Sequence, residues 1–352
     1  MGKFPDFFKW HSTEVNKKLQ TAQTLPEAGK SAPKEKVPKI RLAFMGTPQL
    51  AADILEALYS AGYQIVGVVT KADRPQGRGQ EVVASPVKTF AQKAGLPLLQ
   101  PQTLDENAQR EIERWRPDLI LVVAYGRLLP KELLKRPGFG CLNIHPSLLP
   151  KYRGASPLQN ALLNGETETG VTLMQLDEGM DTGPLIGNRK VTIDPEDTLS
   201  TLIPKVTEAA IGLTLELLPG WVRRTIQAVP QDHSQATVCQ LIEREDGHVL
   251  WDETAQAIYN RYRALTPWPG LFSFWRQESG LIRLKLTRLS LDMKAPKTDH
   301  ALGTVFEIGD RIAVATAEGL IFIEELQQEG RKTLSVRDFL LGNPTLVGAI
   351  LQ

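Results

Sequence analysis

The sequence has 352 residues, of which 42% are hydrophobic and 23% charged, with a formal net charge of +1. That length predicts two domains, and the near-neutral balance excludes a protein that holds nucleic acid through a global basic field. No run approaches the ~20 apolar residues of a membrane span, and the two cysteines, Cys141 and Cys239, fit no zinc spacing, so a reduced, cytoplasmic protein without disulfides is the simplest account.

Residues 1–38 have no apolar periodicity beyond Phe4, Phe7, Phe8 and Trp10. They lack the apolar core of a secretory signal, contain no arginine, and carry Asp6, Glu14, Glu27 and Glu35. Neither a signal peptide nor a presequence is expected, and the stretch reads as a flexible extension. The fold is expected to start at KIRLAFMGTP (39–48), a strand ending in a glycine turn. A helix with Leu50, Ile54, Leu55 and Leu58 on one face follows, then the strand YQIVGVVT (63–70). This is the βαβ unit of a parallel, doubly wound sheet. Its turn holds one glycine, which makes a poor dinucleotide fingerprint.

The loop KADRPQGRGQ (71–80) carries Arg74 and Arg78. It is either a solvated surface loop or a mobile arginine finger for a polyanion. SPVKTFAQKAG (85–95) predicts a serine-capped helix with proline in its first turn. LPLLQP (96–101) predicts a short strand, LDENAQREIERWRP (104–117) an amphipathic helix, and DLILVVAYG (118–126) a buried strand.

The stretch CLNIHPSLLPKYRG (141–154) reads as a strand that stops at Pro146. Asn143 and His145 are two apart and project from one face, with Leu142 and Ile144 on the other. An amide donor beside an imidazole at a strand end suits carbonyl chemistry, one group holding an oxyanion while the other moves a proton. A capped strand end with a satisfied histidine is the competing reading. A helix (156–165) and a strand (168–177) follow, then a loop with Asp177, Gly179, Asp181 and Gly183. A calcium loop wants more oxygen ligands at closer spacing. An aspartate that orients a histidine is the other use, which makes Asn143, His145 and Asp181 a plausible set.

GPLIGNRKVTI (183–193) alternates like an edge strand, and Pro195 opens a helical stretch to about Ala228, interrupted at TLIPK. Residues 230–248 read as a linker. Beyond it come a helix stopped by Pro267 and strands punctuated by glycine turns, a pattern that predicts a small antiparallel barrel. Residues 231–352 hold 13 basic and 16 acidic side chains, a balance of −3. Arg283 and Lys285 nonetheless share one strand face, with Arg261, Arg263, Arg276 and Arg288 near in sequence. They form either a local basic stripe for phosphates or a solvated barrel face. The expected fold class is α/β: a doubly wound, mostly parallel Rossmann-like sheet over 39–229, then a small antiparallel, OB-like β-barrel over 249–352.

The motifs N-x-H-x-S-L-L-P-x-Y-R-G (143–154) and G-V-T-x-M-x-x-D-x-G-x-D-T-G (170–183) resemble those of the folate-dependent formyltransferases. Members act on methionyl-tRNA, glycinamide ribonucleotide or aminoarabinose. The resemblance runs from about Ile40 onward, with Pro146 standing where glycine is usual. It implies 10-formyltetrahydrofolate as formyl donor, a primary amine as acceptor, and no metal. It also implies a catalytic set. Asn143 and His145 would stabilise the tetrahedral oxyanion, His145 would protonate the departing N10, and Asp181 would orient and charge the ring. Ser147, Leu148, Leu149 and Pro150 are implied to line the folate pocket, beside the backbone that ends strand 118–126.

Family members that formylate initiator methionyl-tRNA carry a comparable glycine-flanked arginine loop. This implies tRNA contacts at Arg74 and Arg78, with the barrel as a second tRNA-binding element through Arg283 and Lys285. A monomer is expected. A formyltransferase for a small amine such as a UDP-amino-sugar is the alternative, and an idle folate- or RNA-binding protein is a third reading.

Overall fold

A computed structural model describes residues 37–352 apart from 77–80, 279, 293 and 295–297, with 74–76 and 81 described by backbone only. The expected N-terminal extension up to residue 36, and Arg78, lie outside the described residues. Strand β1 (Arg41–Gly46), helix α1 (Gln49–Ser60) and strand β2 (Gln64–Val69) form the first βαβ unit, with β1 and β2 parallel. Helix α1 buries Ile54, Leu55 and Leu58 of the expected face, with Ala51 and Ala52 beside them and Leu50 half-buried against the same core.

Strands β3 (Arg74–Gln76) and β4 (Glu81–Val83) pair antiparallel, so the expected loop carries a short ladder. Its base is fixed by Asp73, which accepts from Lys88 Nζ and from Gln100 Nε2. Helix α2 (Pro86–Lys93) is capped by Ser85 and helix α3 (Glu106–Arg114) by Asp105, each side chain accepting from a backbone N–H of the first turn. Between them lies the two-residue strand β5 (Leu98–Leu99). Strand β6 (Leu119–Val123), helix α4 (Lys131–Leu134), strand β7 (Cys141–His145), strand β8 (Arg153–Gly154), helix α5 (Pro157–Leu163), strand β9 (Glu168–Gln175) and strand β10 (Leu185–Thr192) follow.

The main sheet has the order β10-β9-β7-β6-β1-β2-β5. Its strands from β5 to β7 are parallel, whereas β9 runs antiparallel to β7, and β10 antiparallel to β9. One face (Leu42, Phe44, Leu121, Leu142, Ile144) shares a core with α1. The other (Ala43, Met45, Ile120, Val122, Cys141) packs with Ile112 of α3 and Leu133 of α4. By the period of two, Asn143 and His145 continue that second face with polar side chains.

Helix α6 (Leu199–Val222) corrects one expectation, because it runs unbroken through Pro204 and Pro219. Pro204 removes one bond, that to the carbonyl of Ser200 on an exposed turn. Against that loss, Leu202, Val206, Ala210, Leu213 and Leu217 join the core of the sheet, and packing decides the outcome. Within the expected linker, strand β11 (Val238–Cys239) pairs parallel with β8.

Helix α7 (Ala255–Leu265), capped by Thr254, is followed by strands β12 (Leu271–Gln277), β13 (Gly280–Leu291), β14 (Val305–Ile308), β15 (Arg311–Ala315), β16 (Leu320–Gln328) and β17 (Thr333–Ser335), then helix α8 (Val336–Gly342). The antiparallel order is β12-β13-β16-β15-β14, with β17 on β16. Residues 348–352 close this sheet into the expected barrel. Gln352 exchanges two 2.8 Å backbone hydrogen bonds with Phe274 of β12, while Val305 of β14 donates to Ala349 and accepts from Gly348.

Arg263 does not join the basic stripe envisaged from the sequence. It is buried in α7, where Nε donates to Asp197 O at 2.7 Å and Nη2 to Asp194 O at 2.9 Å, just before α6. Desolvation lowers its pKa, and the two carbonyls are what an enclosed guanidinium needs. Arg261 is likewise engaged, by Glu253 and by Asp246 O.

Packing between β2 and α3 gives a test of the fold. A Cβ on Gly67 would stand 2.2 Å from ring atoms of Trp115, which caps α3. Gly67→Ala is therefore expected to destabilise the protein by about 1–3 kcal/mol, the usual range for overpacking. Urea unfolding checks it, and an unchanged midpoint would mean that the indole swings aside at no cost.

Candidate active site

Strand β7 lies between β6 and β9, opposite Val122 and Met174 at Asn143 and opposite Thr172 at His145. Asn143 is paired on both sides and His145 on the β9 side, so their side chains leave the sheet in set directions. His145 is 4% and Asn143 9% exposed. Among the described residues the Asn143 carboxamide makes no hydrogen bond, so its donors are available to a bound group.

Asp181 comes from the loop between β9 and β10 and folds back over this face. Its Oδ2 lies 3.5 Å from His145 Nδ1 and accepts from Gly154 N at 2.9 Å. The expected convergence of Asn143, His145 and Asp181 at the carboxyl end of β7 is thus the arrangement found for the histidine and the aspartate, with Asn143 one pleat behind. Asp181 has φ +55, in the left-handed region that ordinary residues avoid. His145 Nε2 is 2.8 Å from Tyr152 O. A carbonyl only accepts, so Nε2 carries a hydrogen, and the doubly protonated ring is the form that donates at both ends.

The turn after β7 is internally tied. Ser147 Oγ donates to Lys151 O at 2.7 Å, Thr172 Oγ1 donates to Ser147 O at 2.6 Å, and Leu149 N donates to Thr172 Oγ1 at 3.2 Å. Ser147 and Leu149 are buried by these bonds, while Leu148 and Pro150 are half-buried, with Leu148 packed over Gly170. Tyr152, at φ +60, donates its N–H to Thr237 Oγ1 and its hydroxyl to Glu166 Oε1, each at 2.8 Å or less. Burial raises its phenol pKa. Beside it, Lys151, Asn164, Glu166 and Thr237 line a cavity of about 170 Å³. A larger one of about 570 Å³ opens at the amino end of β7, around Gly140, Gln175 and Trp221. Neither is lined by the three expected catalytic residues.

Sequence reasoning passed over Arg153, Gly154 and Gln231. The first two sit inside the motif PKYRG with no role assigned; Gln231 gave no signal, because its contacts are all long-range. Among the described residues no carboxylate pairs with the buried Arg153, and its Nη2 donates to Gln231 Oε1 at 2.6 Å and to His233 Nδ1 at 3.1 Å.

Of the residues expected to meet tRNA, Arg74 is described only as part of β3, and Arg78 lies outside the described residues. Arg283 and Lys285 stand opposite Phe274 and Phe272 on the β12–β13 pair. The Arg283 guanidinium lies 3.7 Å from the centre of the Phe272 ring, on which His248 also stacks. Among the described residues no group of three or more His, Cys, Asp or Glu is placed to hold a metal ion, and no helix is long and apolar enough to cross a membrane.

A doubly wound sheet that carries an imidazole–carboxylate pair at a strand's carboxyl end, joined to a closed antiparallel barrel, defines a two-part α/β protein with a polar site where open sheets bind ligands. The comparisons make the class specific. Residues 39–218 match the formyl transferase family model and residues 241–344 the formyl transferase C-terminal domain model. A methionyl-tRNA formyltransferase of Desulfotalea psychrophila is 42% identical over 305 residues, 86% of this chain and 93% of that one. One of Acidobacterium capsulatum is 43% identical over 312 residues, 86% of this chain and 97% of its own. The chain belongs to the formyltransferase family and is a formyltransferase enzyme. Its fold resembles that of an N-formyltransferase from Helicobacter canadensis, solved with folinic acid and dTDP-3-aminofucose, at a TM-score of 0.61 and 20% identity over 81% of this chain and 98% of that one.

The thiols give a test of what the site does not use. Burial pushes Cys141 up to about 12 and raises Cys239, whose Sγ donates to Arg153 O at 3.1 Å. Both stay protonated near neutral pH, where only a thiolate is reactive. Iodoacetamide at pH 8 is expected to leave both cysteines unmodified in the folded protein and activity unchanged. Rapid alkylation with loss of turnover would contradict this placement.

Proposed function

We propose that this protein transfers the formyl group of 10-formyltetrahydrofolate to the amino group of methionyl initiator tRNA. The observation that carries the reading is the match, at about 40% identity and nearly full length, to methionyl-tRNA formyltransferases from several bacteria. The likeness to sugar-modifying relatives is one of fold at 20% identity and carries no weight on the acceptor.

In this reading the acceptor amine attacks the formyl carbon, and the carbonyl oxygen becomes an oxyanion. The Asn143 carboxamide, with its donors uncommitted, holds that oxygen. The His145 imidazolium turns its Nε2–H from the neutral Tyr152 carbonyl to the donor and gives its proton to departing N10, while Asp181 keeps Nδ1–H by charge. The C–N10 bond breaks, the new amide forms, and the amine proton leaves through water beside Asp181. The turn Ser147–Pro150, beside the end of β6, is the proposed wall of the folate pocket.

The tRNA surface we assign to Arg74 and Arg78 and, on the barrel, to Arg283 and Lys285. Cations against stacked Phe272 and His248 offer both a phosphate contact and a ring face. We take 39–229 and 249–352, joined by 230–248, as the two domains, with the chemistry and the Arg74–Arg78 loop on the first and the Arg283–Lys285 contact on the second.

Two measurements test this. Asn143→Ala and His145→Ala are each expected to lower turnover by roughly 10²-fold or more, the order for an oxyanion donor or an acid–base group. Near-normal turnover in His145→Ala sinks the mechanism. Separately, Arg78→Ala and the pair Arg283→Ala/Lys285→Ala should raise KM for charged initiator tRNA, leave folate binding intact, and flatten the salt dependence. If these variants are silent with tRNA while a UDP-amino-sugar is formylated efficiently, the acceptor is the small amine.

A further inference from the structure

Asp181 holds a left-handed backbone that its own side chain does not enforce, since the carboxylate is directed at His145 and at Gly154 N. The restraint comes from elsewhere. Gln231, 6% exposed, reaches the loop from the segment between sheet and barrel. Its Nε2 donates to Asp181 O at 2.9 Å and to Gly183 O at 2.7 Å, the carbonyls of the strained residue and of the glycine two positions on. Its Oε1 accepts from Arg153 Nε at 3.2 Å and Nη2 at 2.6 Å.

The orientation of this amide is forced. A guanidinium only donates and a carbonyl only accepts, so the oxygen must face Arg153 and the nitrogen the loop. Arg153 is itself fixed by the β8–β11 ladder, where its N–H donates to Thr237 O at 2.8 Å. We infer that Gln231, set in place by the buried Arg153 guanidinium, is the positioning residue that holds Asp181 in the turn from which its carboxylate meets His145. The inference rests on the proposed catalytic role of Asp181, and it deepens that reading. It also gives the inter-domain segment a part in the chemistry: the peptide that leads to the barrel supplies the clamp on the catalytic loop.

The discriminating variant is Gln231→Glu, which keeps size and gains a charged partner for Arg153. A residue needed only to satisfy Arg153 would tolerate that change, with thermal stability and turnover both retained. A residue needed for its two donors would not, because a carboxylate oxygen would then face the carbonyls of Asp181 and Gly183. The expected result is a kcat lowered by roughly 10-fold to 10²-fold, the order for an angstrom-scale misplacement, with KM for the folate donor and the melting temperature nearly unchanged.

Gln231→Met, of similar length but without donors, is the second variant and should also lower kcat; it decides the matter if the glutamate variant does not fold. In the background of Asp181→Ala, Gln231→Glu should cost nothing further, because two residues that act as a unit are not additive. Wild-type kcat in both single variants, with Asp181→Ala inactive, overturns the clamp and leaves the catalytic reading standing. An active Asp181→Ala overturns the reading on which the clamp depends.

Discussion

The arrangement of this protein follows from one contact, the carboxylate of Asp181 held against the ring of His145. Neither group is comfortable there. The histidine is almost wholly buried, the aspartate is largely so, and the aspartate's backbone is left-handed. Polar groups withdrawn from water are costly unless each finds a partner. Here Asp181 Oδ2 takes the N–H of Gly154, and the two ring nitrogens face Asp181 and Tyr152 O. Those partners come from the turn after β7 and from the segment before α5, which explains why that turn is so thoroughly cross-linked by Ser147, Thr172 and Thr237.

The sheet makes the contact possible by what it leaves uncovered. Helices α1 and α6 seal one face with a continuous apolar core, and α3 and α4 seal the other as far as Cys141. From Asn143 onward the second face turns polar, and loops rather than helices close over it. The reversal of direction at β9 matters equally. An antiparallel neighbour lets the chain return through a short loop, and that loop brings Asp181 back to β7.

The two halves of the chain are tied by buried polar groups as well as by apolar contact. Arg263 of α7 holds the carbonyls that precede α6, and β11 extends the ladder begun by β8. A residue that looks like a surface cation in the sequence is therefore an interior strut. The segment 230–248 takes part in the hydrogen bonding of the sheet half, although it also leads to the barrel.

The sequence alone determined the alternation and capping that made most strands and helices, and it singled out Asn143, His145 and Asp181 through two motifs. Those features are local: side-chain period, proline and glycine punctuation, and residue types within a few positions of one another. Tertiary structure decided the rest. It kept α6 whole across Pro204 and Pro219, because burying one helix face outweighs the two backbone bonds that the prolines remove. It placed Arg263 inside and Arg283 over an aromatic ring, two fates that no charge count separates. And it brought Gln231 to Asp181 and Arg153 across 50 and 78 positions. Such contacts leave no periodic trace, since what selects them is the shape of a folded interior and the cost of leaving a buried donor without an acceptor.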